Sequence, residues 1–242
     1  LSIKKVERRS KFILFYLDKA YVMLVHLGMT GKFFFVDHHN KKFKTSFYYS
    51  LDNKKDRKYD RVIFHLNKKK KLIYNDVRKF GFIKLVELKN LKKNLHLKFL
   101  GPEPLSKKYN SKYFRDYIKN RNRFVKDLLM DQKFLSGLGN IYVNEILFLS
   151  KVNPLRKVAS LTSKEINKII NFTKKILKSS IKEGGSSIKD FSSSNGKKGI
   201  FQQYFNVYGK KGEYCSNSDC NNKIIRVMKS NRSTFYCSNC QK

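Results

Sequence analysis

Over the first hundred residues, apolar and aromatic side chains come in short runs divided by turn residues. Lys11–Leu17, Tyr21–His26, Lys32–Val36, Arg61–Leu66, Lys71–Tyr74 and Gly81–Val86 are rich in Phe, Tyr, Val and Ile, and signals such as Asp52-Asn53 and Asn67-Lys68 separate them. Many short strands at close spacing predict an antiparallel sandwich or barrel. The lysine-rich stretches between them, Lys54–Lys58 and Lys68–Lys71, read as solvated loops. Gly101-Pro102-Glu103-Pro104 breaks this pattern, and beyond it apolar residues recur at helical period. The expected helices are Ser111–Ile118, Arg123–Met130, Ile141–Leu149 and Ser163–Glu183. In the last of these, Ile166, Ile169, Ile170, Thr173, Ile176, Leu177 and Ile181 share one face. Thr162 and Glu165 stand at capping-box spacing, and Gly184-Gly185 supplies a stop. From Ser186 the chain is rich in Ser, Gly and Lys before it becomes a cysteine module. The pattern predicts an α+β multidomain chain with domains over 1–100, 101–185 and 186–242.

Composition narrows the partner. A chain of 242 residues can bury one large core or two modest ones, and 40% hydrophobic with 14% aromatic residues excludes compositional disorder. Lys and Arg number 54 against 18 Asp and Glu, a formal net charge of +36, which points to a densely negative partner such as nucleic acid. Part of that excess is residue usage: Ala20 and Ala159 are the only alanines, Trp is absent, and Lys, Asn, Ile and Phe abound, as in proteins of AT-rich genomes. No apolar run approaches the ~20 residues that span a bilayer. The basic, mixed start Leu1–Lys11 has no small-residue cleavage site, so the expected location is the cytoplasm. A first residue of Leu rather than Met suggests a fragment or a misassigned start.

The cysteines follow the pattern Cys215-x4-Cys220, sixteen residues, then Cys237-x2-Cys240. Clustered thiols in a cytosolic chain suggest metal ligation, and two close thiolate pairs suit the tetrahedral preference of Zn2+. Disulfides and an iron–sulfur cluster are the alternatives. Between the pairs, Lys223–Lys229 and Ser233–Tyr236 read as the strands of a hairpin. With every thiolate used as a ligand no open position remains, so the one expected zinc is structural. Zinc ribbons serve many functions. Here the hairpin would hold Arg226, Lys229 and Arg232 rigidly; taken alone, Arg232 would be a solvated surface residue.

Five stretches in order resemble the bacterial formamidopyrimidine-DNA glycosylase family. They are Arg8-Arg9-Ser10-Lys11; His26-Leu27-Gly28-Met29-Thr30-Gly31; Asp76-Val77-Arg78-Lys79-Phe80-Gly81; Leu129-Met130-Asp131-Gln132-Lys133 running into Gly137-Leu138-Gly139-Asn140-Ile141-Tyr142 and Glu145; and Gly184 to Phe191 through the zinc hairpin. Each block is weak alone; together and in order they are specific. Lys189-Asp190-Phe191 and the loop Asn195–Phe201 further resemble the purine-lesion branch rather than the endonuclease VIII branch.

The resemblance implies a β-sandwich, a helix–two-turn–helix domain and a zinc-bound β-hairpin. It implies a bifunctional DNA glycosylase/AP lyase, monomeric, acting on double-stranded DNA that contains oxidised purines (8-oxoguanine, formamidopyrimidines) or abasic sites. Such an enzyme must extrude the damaged nucleotide and fill the gap. The family's wedge maps onto Met29, Arg78 and Phe80, although in isolation Met29 and Phe80 would be assigned to a core. Asn140 and Arg232 match phosphate-binding positions, with helix capping the plain alternative for Asn140. His26 and Lys79 also match phosphate contacts, and Lys133 matches a position near the damaged base. The family's nucleophile is an N-terminal proline amine, assisted by a glutamate, which attacks C1′ and forms a Schiff base that permits β- and δ-elimination. That Pro-Glu start and the first helix are expected before Arg8, so the sandwich reads as incomplete and marginally stable. Lys11 matches an accessory catalytic lysine; without the family it would be assigned to the surface. The four-residue spacing of the first cysteine pair, and Val77 and Lys79 in place of Pro and Arg, depart from the family pattern. Two other readings compete: a non-catalytic DNA-binding remnant, and a zinc-ribbon RNA-binding protein.

Overall fold

The six apolar runs of the first hundred residues become strands, and two further strands (Ile3–Arg9 and Lys42–Lys44) join them from outside those runs. Among the described residues all pair with antiparallel neighbours. They are β1 (Ile3–Arg9), β2 (Phe12–Leu17), β3 (Tyr21–His26), β4 (Lys32–Val36), β5 (Lys42–Lys44), β6 (Asp60–His65), β7 (Lys71–Asn75) and β8 (Phe82–Glu87). They form two sheets, in the orders β1-β2-β3-β8 and β5-β4-β7-β6. The computed structural model describes residues 1–36, 42–44, 54–186 and 200–242.

Side chains alternate across each strand, so each strand has two faces to satisfy. Phe15 of β2 and Met23 and Val25 of β3 meet Phe33 of β4 and Leu72 and Tyr74 of β7, which makes the expected sandwich. On the other face, Leu14, Val22 and Leu24 are covered by Phe12, Tyr16, Phe82, Val86, Leu91 and Leu97. Burial on both faces explains why β2 and β3 read as continuous apolar runs rather than alternating ones. β1 has the opposite character. Its sequence IKKVERR is exposed except at its last residue, and its place at the sheet edge needs no apolar period. The hydrophobic pattern therefore placed the first strand one element too late. The charges on β1 suit an edge, where they discourage pairing with another chain.

The chain divides into two compact units, Leu1–Leu97 with Glu183–Gln202, and Lys98–Lys182 with Gln203–Lys242. The second contains α1 (Ser111–Ile118), α2 (Val125–Met130), α3 (Asn140–Leu149), α4 (Ser163–Lys182) and the hairpin of β9 (Ile225–Lys229) and β10 (Arg232–Tyr236). Every residue of α3 from Val143 to Phe148 is buried, which places this helix at the centre of the unit. α2 begins two residues later than its periodicity suggests, because Phe124 forms a β-bridge with Lys157. α4 starts with the expected capping box: Thr162 N–H donates to Glu165 at 2.8 Å and Glu165 N–H donates to Thr162 Oγ1 at 3.2 Å. Its buried face ends in Ser180, hydrogen-bonded to the Tyr142 hydroxyl at 2.6 Å. Ile181 lies one position off that face and is exposed. Among the described residues no helix is long and apolar enough to cross a membrane.

Candidate nucleic-acid interface

In the first unit, two loops that are distant in sequence are pressed together at glycines. Gly28 has φ +65°, and a Cβ there would stand 2.6 Å from Gly81 N and Phe80 C; one at Gly81 would meet the Tyr74 hydroxyl at 1.9 Å. What fixes the loops is Asp76, at 1% exposure. One carboxylate oxygen accepts from the Thr30 hydroxyl (2.5 Å) and Arg78 N–H (3.2 Å), the other from Gly81 N–H (2.9 Å) and the Tyr74 hydroxyl (3.1 Å). Burial pushes the Asp76 carboxyl up, but the bonds from Thr30, Gly81, Tyr74 and Arg78 outweigh it and hold the group below the usual carboxylate range. Burial, with Asp76 beside it, raises the Tyr74 hydroxyl, which stays a donor.

The product of this frame is a projecting cluster. Met29 and Phe80 are each 57% exposed, which excludes the core assignment that either residue would receive in isolation. The Arg78 guanidinium lies 4.5 Å from the Phe80 ring centroid, and its Nη1 is 3.4 Å from Met29 Sδ. Lys79 between them is exposed and takes a left-handed backbone, φ +57°. Beside the cluster, His26 Nδ1 accepts Gly28 N–H at 3.1 Å, so the neutral ring carries its proton on Nε2. Its ring stacks on Phe82 at 5.8 Å and touches Phe12 at 5.1 Å. Burial, then the charges of Lys11 and His96, pull its pKa below the ordinary histidine value. Lys11 is exposed in the turn from β1 to β2. His96, not foreseen in the sequence, closes this aromatic group 4.6 Å from Phe82.

In the second unit, Asn140 opens α3, but Gly139 is the N-cap and no side chain caps the helix. Asn140 Nδ2 instead donates to the Ser233 carbonyl at 3.0 Å, immediately after Arg232 on β10. The capping alternative is thereby corrected: with Gly139, which has no side chain, as an extended N-cap, the Asn140 amide is left to reach the hairpin. Arg232 is exposed at the start of β10. Lys133 is exposed in the turn after α2, its N–H donating to Asp131 at 2.9 Å and its Nζ 5.2 Å from the Phe99 ring. Lys126, which periodicity did not single out, is buried under the hairpin and donates to the Ser233 carbonyl and Thr234 hydroxyl at 2.9 and 2.7 Å.

The four cysteine Sγ atoms lie within 4.8 Å of one another, with Cys215–Cys240 at 3.8 Å and Cys220–Cys237 at 3.7 Å. A tetrahedron of Zn–S bonds of about 2.3 Å has S–S edges of about 3.8 Å, so the cluster fits that ion; a disulfide needs about 2.05 Å. Phe148, Val207, Ile224 and Phe235 pack around the cysteines. The approach to the module is anchored by buried Glu145, which accepts from the N–H groups of Asn206 (2.7 Å), Val207 (3.0 Å) and Tyr208 (2.8 Å). Thus Met29, Arg78 and Phe80 come together in one unit with His26 and Lys11 nearby, and Asn140 and Arg232 meet at Ser233 in the other. Lys189-Asp190-Phe191 and Asn195–Gly199 lie outside the described residues.

Residues 1–83 match the formamidopyrimidine-DNA glycosylase N-terminal domain, and residues 100–192 match the formamidopyrimidine-DNA glycosylase H2TH domain. The formamidopyrimidine-DNA glycosylase of Roseobacter denitrificans is 37% identical over 240 residues, 99% of this chain and 83% of that protein. That of Rickettsia massiliae is 36% identical over 99% of this chain and 80% of its own length. Among solved structures, the Lactococcus lactis Fpg in complex with DNA containing an abasic site superposes with a TM-score of 0.84 at 32% identity, covering 100% of this chain and 82% of that one. A mutant of the same protein bound to DNA containing Fapy-dG gives the same score, identity and coverage.

Proposed function

The chain belongs to the formamidopyrimidine-DNA glycosylase family, enzymes of base-excision repair, and from that premise we propose that it grips duplex DNA at oxidised purines or abasic sites, as a glycosylase and AP lyase. The observation that carries this reading is the projecting Met29–Arg78–Phe80 cluster on its buried Asp76 frame. Two large apolar side chains in water are a poor use of core material, but they suit insertion into a base stack. Extruding a nucleotide costs about a few kcal/mol, and a rigid, amphipathic wedge offsets that by occupying the gap.

Asn140 and Arg232 would take backbone phosphates: the one amide N–H not given to Ser233, the N-terminus of α3 and a guanidinium all favour an anion. His26 would donate from Nε2–H, and Lys79 and Lys133 would add charge at the same partner. Zn2+ in the Cys215, Cys220, Cys237 and Cys240 cluster would be structural, fixing the base of β10 and so the aim of Arg232. Attack on the sugar C1′ belongs, by the family resemblance, to a proline amine that is not among these 242 residues. Lys11 serves as an accessory group beside His26. Acting on duplex DNA, the protein would work in the cytoplasm.

The test is a comparison of duplexes with and without a stable abasic-site analogue. Wild type should prefer the modified duplex, and Met29→Ala/Phe80→Ala should lose that preference while its unfolding free energy in urea stays within roughly 0.5 kcal/mol of wild type, as for exposed residues. Equal binding of both duplexes by wild type would sink the repair reading. Borohydride trapping on an abasic duplex should give a covalent adduct with a chain that carries the family's N-terminal proline, an adduct that Lys11→Ala leaves in place, and none with these 242 residues alone.

A further inference from the structure

A lysine ammonium taken out of water is costly unless an anion faces it. Lys126 on α2 is 1% exposed, yet among the described residues the ion pairs do not include it. Its two acceptors, the Ser233 carbonyl and the Thr234 hydroxyl, are neutral. The charges around it do not balance it either. Arg232 on β10 opposes its protonated form, and Asp127 on its own helix favours it. However, Asp127 also accepts the Ser230 hydroxyl, and Asp131 is paired with Arg123. α3 offers the amides of Asn140 and Asn144, and Lys229 of β9 and Lys157 both sit on the Phe124 ring, at 3.6 and 4.0 Å. This is a buried cation in a neighbourhood that is already positive.

The Ser233 carbonyl joins that cation to the exposed anion site. It accepts from Lys126 Nζ and from Asn140 Nδ2 at once. We propose that Lys126 is a positioning residue of the phosphate site: it holds Ser233, and with it the Asn140 amide and Arg232, and its charge is completed only when a DNA phosphate binds there. The inference rests on the duplex-DNA reading above.

A consequence follows that mere packing would not produce. Burial brings the Lys126 ammonium down to about 8 in the free protein. A phosphate nearby favours the charged form, so the bound value is higher. By linkage, this part of the affinity is fully present below the free value and is lost as pH rises through it towards the bound one.

The experiment is the affinity for an abasic-analogue duplex at fixed salt from pH 7 to 9.5, for wild type and Lys126→Met. Wild type should weaken about tenfold across the range, the factor for a one-unit displacement of one pKa. Lys126→Met should start about tenfold weaker at pH 7 and stay flat. Parallel profiles for the two proteins overturn the proposal while leaving the DNA reading intact; failure of wild type to bind any duplex overturns both. If Lys126→Met loses its metal or its fold, the Cε shift of Lys126 in wild type decides, by NMR titration with and without the duplex. A raised pKa in the complex supports the assignment, and an unchanged one overturns it.

Discussion

Asp76 shows how much one buried carboxylate can organise. Its partner Thr30 is 46 residues away in sequence, and Gly81 is five away, so a single group sets the geometry of two loops. Asp76→Asn puts an N–H where four donors converge, and the expected loss is about 1–3 kcal/mol in urea unfolding at pH 7. The sign with pH is determined by the depressed carboxyl. Its stabilisation is present above the unfolded value of about 4 and is lost as pH falls through the folded value, so the gap between wild type and Asp76→Asn should close in acid. A gap that is constant from pH 7 to 3 would mean that shape, not charge, holds the loops. At this scale the sequence named the exposed residues of the motif, Met29, Arg78 and Phe80, through resemblance. It did not reveal what supports them, because an aspartate in a turn looks the same whether it faces water or four donors.

At the scale of elements, local signals were legible where a local cause produced the structure. The capping box at Thr162 and Glu165 and the glycine stop at Gly184-Gly185, with φ of 70° and 88°, act within a few residues of themselves. β1 escaped notice because an edge strand answers to its neighbour's backbone and not to a core. The hairpin lies between these cases. Its cysteine spacing suits a metal, and the reach of a metal held there would be tertiary, since β10 carries the Phe235 N–H to Asn144 of α3 at 2.8 Å. Chelation should therefore do more than unfold a ribbon. Removing the metal, or Cys237→Ser, is expected to lower the thermal midpoint and to weaken duplex binding about as much as Arg232→Ala does, measured alongside released zinc. Duplex affinity that survives full metal loss would show that α2 and α3 alone hold Arg232 in place.

For the whole molecule, the net charge of +36 leaves open how much is function and how much is residue usage. Salt titration separates the two. Each phosphate neutralised contributes about −0.9 to the slope of log affinity against log salt, so engagement of the four cations Arg78, Lys79, Lys133 and Arg232, two in each unit, should give about −3.6 or steeper. A slope of about −1 would assign most lysines to solvated surface. The sequence by itself determined the class of each segment, the grouping of the four cysteines and the family, because period, turn chemistry and thiol spacing are carried by neighbours along the chain. Only the tertiary structure decided that Met29 and Phe80 project and that Asn140 binds a hairpin carbonyl instead of capping its helix. It alone brought Lys126 beneath Arg232. The physical reason is that a polar group's role is set by its partner, and these partners lie far off in sequence, 93 residues from Asn140 and 107 from Lys126.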